Sequence, residues 1–275
     1  MVLDLFRLDG RVAVVTAASR GIGAAIAEAF AEAGADVAIA ARTAEDLDRV
    51  AERCRAHGAT VVVHAADLST REAMSGFVDA VTEGLGRIDV VVNNAGGSFP
   101  TAFLDTSERA FTKALEWNVT TAFNLTQLAT PQLLTGGVGS VINIASATGL
   151  YPERGFLSYG TAKAAMIAMT RNLAHDLAPR VRVNAIAPGA IDTPALAMVT
   201  DDASLTQALV DNTPMRRIGT TADIAAAALY LASDAASYVT GRVLAVDGGI
   251  ETPNLPLGMP DLDASESDAP EPEPK

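Results

Sequence analysis

Three side chains in this sequence could together move a proton: Ser146, Tyr159 and Lys163. Tyr159 and Lys163 stand four residues apart in an alanine-rich run that favours helix, so we expect both on one face within mutual reach. An adjacent ammonium favours phenolate, which should lower the phenol pKa from its ordinary value of about 10. Tyr159 would then exchange a proton with an alcohol or carbonyl oxygen that the Ser146 hydroxyl also hydrogen-bonds. On this spacing alone, an ordinary amphipathic helix with a surface tyrosine and lysine is the alternative interpretation.

The elements that must position these side chains alternate along the chain. Apolar, β-branched runs predict strands at 12–15, 37–41, 60–65, 88–92, 141–145, 181–186 and 243–246. Helical spacing predicts helices at 24–33, 46–57, 70–84, 107–117, 125–134, 158–177 and 222–231. This alternation predicts an α/β fold: one Rossmann-type doubly wound domain with a seven-stranded parallel sheet flanked by helices. Ligands bind beyond the carboxyl ends of such strands, so one rim should contain Ala17, Arg42, Asp67, Asn93 to Gly96, Ser146, Pro188 and Gly189.

A glycine turn joins the first predicted strand to the first helix. It consists of Thr16, Ala17, Ala18, Ser19, Arg20, Gly21, Ile22 and Gly23. In the order strand, glycine turn and helix, backbone N–H groups and the helix N-terminus face a pyrophosphate, which is the arrangement of dinucleotide sites. The alternative is that Gly21 and Gly23 only permit close packing of the helix on the strand.

The end of the second strand predicts which dinucleotide is bound. Arg42 follows Gly23 by 19 residues, where an acid would suit NAD(H) and an arginine suits a 2′-phosphate. Arg20 in the glycine turn and the Thr43 hydroxyl could converge on the same phosphate, so we predict NADP(H) rather than NAD(H). NAD(H) remains the alternative, in which both arginines are solvated and Arg42 only precedes the next helix.

Composition limits the partners. A net charge of −13 at pH 7 repels nucleic acids and anionic membranes, so we expect neither. No apolar run reaches the roughly 18 residues of a membrane span and the N-terminus does not resemble a signal peptide, so we expect a cytoplasmic protein. The single cysteine, Cys54, falls in a predicted helix and indicates a buried thiol. His57, His64 and His175 do not cluster with acids at ligand spacing, so we predict no metal site.

The end of the chain differs in composition. We predict one Rossmann-fold catalytic domain over residues 1–260 and an acidic tail over 261–275, which holds six acids and one base and should be disordered. The segment from Thr252 to Pro260 is rich in proline and apolar residues. Two alternatives stay open for it: packing on a neighbouring subunit, or a free, disordered segment.

From about Leu8 to about Gly249 the chain resembles a short-chain dehydrogenase/reductase. The motifs follow the family's order: the glycine turn, Asp67 with Leu68 near the adenine, Asn93-Asn94-Ala95-Gly96, Pro188-Gly189 with Ile191 and Thr193 near the nicotinamide, and Val246-Asp247-Gly248-Gly249. Asn118, Ser146, Tyr159 and Lys163 match the catalytic tetrad. One position departs from the family, because Ala17 replaces the first glycine of the turn and adds a β-carbon where the backbone turns tightly.

The resemblance implies a role for each member of the tetrad. Lys163 would hold the nicotinamide ribose and acidify Tyr159, and Asn118 would keep a water in a proton relay. Ser146 would orient the substrate oxygen, and Tyr159 would give it a proton as hydride arrives from the cofactor. The resemblance also implies homotetramers, built through the helices that carry Asn118 and Tyr159 and through the last strand.

The substrate is predicted from the segments that build the family's pocket. They are 97–99, the residues Thr148, Leu150, Tyr151 and Phe156, and the segment 191–215, which could form a mobile lid. Their apolar composition favours a hydrophobic ketone or secondary alcohol, such as a steroid-like or 3-oxoacyl substrate, over a sugar. Arg154 is interpreted as a solvated arginine or a contact to an acidic substrate group. A function of a different class is also considered: a non-catalytic sensor or scaffold that binds a dinucleotide. Such a protein would not need an intact tetrad.

Overall fold

The fold is a parallel sheet with helices on both faces. A computed structural model describes residues 1–137, 139–255, 257, 259, 261 and 262, with the backbone alone for Met198. The seven strands are β1 (Val12–Thr16), β2 (Asp36–Ala41), β3 (Val61–Ala65), β4 (Val90–Asn93), β5 (Gly139–Ile144), β6 (Val181–Pro188) and β7 (Val243–Val246). They run parallel in the order β3-β2-β1-β4-β5-β6-β7, which confirms the predicted sheet. The order reverses between β1 and β4, the place where ligands bind in such sheets.

Helices follow the strands in the predicted alternation. They are α1 (Gly21–Glu32), α2 (Ala44–Ala56), α3 (Arg71–Leu85), α4 (Glu108–Leu115), α5 (Thr121–Leu133), α6 (Leu157–Leu177), α7 (Ala197–Thr200), α8 (Ala203–Asp211) and α9 (Thr221–Ala232). The segment 191–215, predicted only as a lid, contains α7 and α8; Asp202 caps α8 by accepting hydrogen bonds from the N–H groups of Ser204 and Leu205. In the described part of the chain, no helix is both long and apolar enough to cross a membrane.

The core forms two layers because successive strand residues point to opposite faces of the sheet. Ala13 and Val15 pack in one cluster with α1, α2 and α9, and Val12 and Val14 pack in the other with α3, α5 and α6. All five residues of β1 are buried, as expected for a central parallel strand.

A buried polar network joins the sheet to α5 and α6, the helices next to the predicted catalytic residues. The Asn93 amide on β4 donates to the Thr126 hydroxyl (3.0 Å) and to the Asn143 side-chain oxygen on β5 (2.8 Å). The Asn143 amide in turn donates to Thr170 of α6 over 2.9 Å. Removing one member would leave a buried partner unsatisfied, at a cost of about 1–3 kcal/mol. The network therefore fixes α5 and α6 against β4 and β5.

Candidate active site

Lys163 and Ser146 meet at the carboxyl end of β5. Lys163 is only 2% exposed, and its Nζ donates a 2.8 Å hydrogen bond to the carbonyl of Ile144, the last residue of that strand. Ser146 lies two residues after Ile144, and its Oγ accepts a 3.2 Å hydrogen bond from the backbone N–H of Thr148. The Lys163 Nζ lies 5.6 Å from the centre of the Tyr159 ring on the same helix. The structure thus brings the three side chains together.

Asn118 reaches this group from a π-helical turn, Glu116–Thr120, that separates α4 from α5. It is fully buried, and its amide donates to the carbonyls of Ala114 (2.9 Å) and Gly97 (3.2 Å). Its side-chain oxygen accepts from the Gly97 N–H over 2.9 Å. A single π turn inside a helix is a frequent feature of functional sites. The sequence predicts two separate helices here, over 107–117 and 125–134, and the π-helical turn was not predicted.

Gly96 fills the space between Asn118 and Lys163. A β-carbon built on Gly96 would lie 2.6 Å from the Asn118 Oδ1 and 2.9 Å from the Lys163 Nζ. Both distances are shorter than real β-carbon contacts, so any side chain here would push these two groups apart. Close approach therefore favours glycine at this position.

The predicted lowering of the Tyr159 pKa is wrong for the protein without a cofactor. Burial raises the pKa of the phenol, and the neighbouring Ser146 side chain opposes that shift. Burial also lowers the pKa of Lys163 to about 7, because the ammonium loses its hydration. With a pKa of about 7, Lys163 is only about half protonated at pH 7, so its pull on the phenol is reduced. The sequence showed that the two residues are neighbours, whereas the pKa values depend on desolvation.

The buried Lys163 should make stability depend on pH. Its pKa is about 7 in the fold and about 10.4 when unfolded, so between these values the unfolded state binds more protons. The free energy of unfolding should therefore rise with pH across this window, by at most about 1.4 kcal/mol per pH unit. Urea unfolding of the wild type and of Lys163→Met at several pH values tests this. As pH rises, the free energy of unfolding of the wild type should increase relative to that of the variant. If the difference in unfolding free energy between the wild type and Lys163→Met did not change with pH, the lowered pKa of the buried Lys163 would be contradicted.

The glycine turn fits a dinucleotide pyrophosphate. Helix α1 begins at Gly21 (φ +58°), and the Arg20 side chain makes no capping hydrogen bond to its first N–H groups. A β-carbon at Gly23 would lie 2.6 Å from both the Ala17 carbonyl and the Asn94 amide, so the turn packs tightly on β4. Uncapped N–H groups at a helix N-terminus are the donors that bind phosphate.

Thr16 and Asn94 hold this turn against the end of β4. The Thr16 hydroxyl accepts from the N–H groups of Asn94 and Ala95, each over 3.0 Å. The Asn94 amide donates back to the carbonyls of Thr16 (3.0 Å) and Ala17 (3.2 Å). The two sequence motifs therefore form one structural unit.

Ala17 adopts φ +51°, in the left-handed region that favours glycine. For an alanine this conformation costs roughly 1–2 kcal/mol. Ala17→Gly should relieve that strain. Glycine also makes the unfolded chain more flexible, which lowers the free energy of unfolding by about 0.4–1 kcal/mol, so a small net stabilisation is expected. Thermal unfolding checks it, with Ala25→Gly on α1 as the matched control, which should destabilise by about 1 kcal/mol. If Ala17→Gly lost as much stability as Ala25→Gly, the backbone at Ala17 would be unstrained.

The two arginines predicted to bind phosphate are both exposed. Within the described residues neither Arg20 nor Arg42 forms an ion pair. Arg20 borders a groove of about 420 Å³ together with Arg49 and Arg53, and Arg42 is not among the residues that line it. Arg49 pairs with Glu45 and Asp46, and Arg53 with Glu28, so their guanidinium groups are already engaged.

The remaining predicted cofactor residues lie at the ends of β2, β3 and β6. Thr43 is the N-cap residue of α2, Asp67 is exposed and accepts from the Ser69 N–H, and Leu68 is buried. Pro188 ends β6, and Gly189 packs so closely on Asp247 that a β-carbon would lie 2.7 Å from its Cα. Thr193, two residues beyond Ile191, would contact a β-carbon at Gly21 at 3.5 Å. The segment after β6 therefore reaches the glycine turn, whose other predicted contacts are Ser19 and Ile22.

A cavity of about 460 Å³ lies beside the tetrad. Its lining includes the predicted residues Thr148, Leu150, Tyr151 and Phe156. Ser146, Tyr159 and the predicted segment 97–99 are not part of this lining, although Thr148 and Gly160 are. Residues that the sequence analysis did not place there include Glu153, Met259 and Leu262.

Arg154 is exposed, as predicted for a solvated arginine, and it also contacts the C-terminal segment. Its guanidinium donates to the Met259 carbonyl (3.2 Å) and to the Asp261 carboxylate (2.7 Å). The described residues of 252–262 therefore pack on their own subunit, which differs from a free segment. Of the predicted acidic tail, residues 263–275 lie outside the described residues. Cys54 is fully buried, and burial raises its pKa to about 11.

The chain is similar to known oxidoreductases over most of its length. A family model described as Enoyl-(Acyl carrier protein) reductase matches residues 16–251. An uncharacterised oxidoreductase of Mycobacterium tuberculosis is 52% identical over 95% of this chain and 100% of its own. The 7α-hydroxysteroid dehydrogenase of Escherichia coli is 39% identical over 90% of this chain and 96% of its own.

Solved structures agree with these similarities. A 7α-hydroxysteroid dehydrogenase in complex with NADH and 7-oxoglycochenodeoxycholic acid superposes with a TM-score of 0.87 at 39% identity, over 90% of this chain and 96% of that one. A gluconate 5-dehydrogenase of Burkholderia cenocepacia in complex with NADP and tartrate gives 0.86 at 31% identity, over 91% and 98%. With the sheet order and the tetrad geometry, these matches identify the chain as a member of the short-chain dehydrogenase/reductase family of oxidoreductases.

Proposed function

We propose that the protein is an NADP(H)-dependent oxidoreductase that interconverts a hydrophobic ketone and its secondary alcohol. The observation that carries the proposal is the buried Lys163 beside Tyr159 and Ser146 at the end of β5. NADPH, when bound, supplies the hydride that the carbonyl carbon receives. The glycine turn and the rim residues named above would bind this cofactor.

The chain's own residues supply the proton. Because burial raises the pKa of Tyr159, the phenol keeps its proton at neutral pH, which is the form that ketone reduction needs. In the proposed reaction Tyr159 donates this proton to the substrate oxygen, and the Ser146 hydroxyl donates a hydrogen bond to the same oxygen. Lys163 and Asn118 keep the group in place through the Ile144 carbonyl and the Gly97 backbone. In alcohol oxidation the same proton moves in the opposite direction.

The preference for NADP(H) rests on Arg20 and Arg42. An exposed guanidinium without an ion pair in the described residues can bind a 2′-phosphate in a bidentate manner, whereas Arg49 and Arg53 already have carboxylate partners. Similar proteins have been solved with either dinucleotide, NADH in one and NADP in another. NAD(H)-dependent oxidation of a secondary alcohol is therefore the second candidate.

Cofactor selectivity tests the proposal directly. We expect the wild type to oxidise NADPH in preference to NADH with apolar ketones, and Arg20→Ala/Arg42→Ala to raise the KM for NADPH roughly 10–100-fold with the NADH values unchanged, since charge-assisted contacts to phosphate contribute about 1.5–3 kcal/mol. The matched control is Arg55→Ala, which changes an exposed arginine of α2. The substrate panel should include a 3-oxoacyl thioester, an oxo-steroid, a sugar ketone and an enoyl thioester.

Two results would contradict the proposal. Equal use of both cofactors by the wild type would remove the role of the arginines and favour the NAD(H) candidate. Tight NADPH binding without turnover of any panel member would favour a dinucleotide sensor or scaffold.

We also propose a cytoplasmic homotetramer. Partly exposed apolar side chains support it, since Phe123 lies on α5, Leu157 starts α6 and Leu244 lies on β7, the elements through which the family resemblance implies assembly.

A further inference from the structure

Glu153 places a buried carboxylate oxygen at the cavity beside the tetrad. Among the residues that the structure describes, its Oε1 has no hydrogen-bond partner. Burial raises the pKa of this carboxyl group, and the nearby Leu255 backbone and Thr148 side chain oppose that shift. A buried polar atom without a partner costs about 1–3 kcal/mol, so this oxygen is suited to a donor that arrives with a ligand.

The C-terminal segment, here the described residues Asn254, Leu255, Leu257, Met259, Asp261 and Leu262, contributes Met259 and Leu262 to the cavity lining. Asn254 donates to the Thr213 hydroxyl over 3.0 Å and thereby joins the segment to the end of α8. Arg154 joins it to the loop that carries Glu153, through the Met259 carbonyl and Asp261. Thr148 and Leu150 belong to the same lining. Glu153 thus lines a largely apolar, partly open cavity of about 460 Å³, a volume suited to a small-molecule ligand.

The cavity adjoins the reacting groups through shared residues. Thr148, which contacts Glu153, also donates its backbone N–H to the Ser146 Oγ over 3.2 Å. Phe156, which lines the cavity, has its ring centre 6.1 Å from that of Tyr159. Thr148 and Phe156 are thus neighbours of the reacting groups as well as part of the cavity lining.

We propose that Glu153 is a specificity-determining residue that accepts a hydrogen bond from a hydroxyl group on the ketone substrate, remote from the reacting carbonyl. The inference rests on the proposed function and deepens it: the substrate class becomes a hydroxylated hydrophobic ketone. A ketone without that hydroxyl would fill the cavity but leave the Glu153 oxygen unpaired. Sites built to hydrogen-bond a hydroxyl discriminate in this way against analogues that lack it.

Binding of a matched ketone pair tests the proposal without relying on turnover. Isothermal titration calorimetry on the protein without added cofactor compares androsterone, which has one ring hydroxyl, with androstanone, the same ketone without it. We expect the wild type to bind androsterone roughly 10–100-fold more tightly, the range that one hydrogen bond to a charged group gives. Glu153→Leu should abolish this preference. Glu153→Gln should retain part of it, because an amide oxygen still accepts.

Arg154→Met is the matched control. It removes the contacts to Met259 and Asp261 and leaves the carboxylate in place, so the preference for androsterone should survive. Loss of the preference in Arg154→Met as well would mean that Glu153 acts only by holding the C-terminal segment, which would overturn the proposal. Equal affinities in the wild type, or no binding of either ketone, would overturn it too. Selective binding without NADPH consumption would instead refute the reductase function and keep the role of Glu153.

Discussion

Tyr159→Phe is expected to lower kcat for ketone reduction by roughly 10²–10⁴-fold, the range that a positioned proton donor contributes. The substitution removes one oxygen atom and keeps the ring, so the packing of Phe156 and the position of Lys163 should persist. The KM for NADPH should change little, because the glycine turn and Arg20 are untouched. Steady-state NADPH oxidation with a ketone accepted by the wild type, together with NADPH binding measured by fluorescence, gives both quantities.

Tyr238→Phe is the appropriate control, because Tyr238 is fully exposed and lies just before β7. It should leave kcat unchanged. If Tyr159→Phe kept near-normal turnover while Tyr238→Phe behaved as expected, the proton would have to come from elsewhere, and the proposed role of Tyr159 would be wrong.

Gly96→Ala is expected to lower kcat by about 10²-fold and to destabilise the protein by roughly 1–3 kcal/mol, because the added methyl group overlaps Asn118 and Lys163. Gly96 is not among the residues with positive φ, so the effect is steric and not a matter of backbone strain. Turnover and urea unfolding of the same preparation measure the two effects. A larger fractional loss of activity than of folded protein would show displacement of the tetrad.

Gly76→Ala provides the comparison for this prediction. Gly76 lies on α3, and a β-carbon there would meet no atom within 4 Å. The substitution should raise the free energy of unfolding by up to about 1 kcal/mol through helix propensity and leave kcat unchanged. Equal behaviour of the two variants would show that the space around Gly96 can relax.

The sheet was predictable because its physical causes are local. A buried parallel strand reads as a continuous apolar run, as in Val12 to Val15, and a helix between two such runs gives the right-handed crossover that makes them parallel. The short helices α7 and α8 were missed, since four and nine residues carry too little periodicity to stand out from a loop.

The proximity of Ser146, Tyr159 and Lys163 was predictable from the sequence, whereas their pKa values were not. Spacing alone put Tyr159 and Lys163 on one helix face, and the strand ends put Ser146 and Gly96 at the same edge of the sheet. The raised pKa of Tyr159 and the lowered pKa of Lys163 depend on how completely the fold removes water, which no local pattern reveals. Glu153 was missed for a similar reason, because its burial depends on a segment about a hundred residues further along the chain.

The buried network of Asn93, Asn143, Thr126 and Thr170 has a consequence for how this protein can change its substrate range. Because the network joins two strands to the helices that follow the Asn118 turn and carry Lys163, the proton-transfer groups belong to a frame that cannot shift in one part alone. The walls of the cavity are different, since the loop of Glu153 and the segment of Met259 hold each other mainly through side-chain contacts at the surface. Substitutions in those walls can accumulate during evolution without disturbing the frame, so new substrates can be acquired while the chemistry is inherited intact.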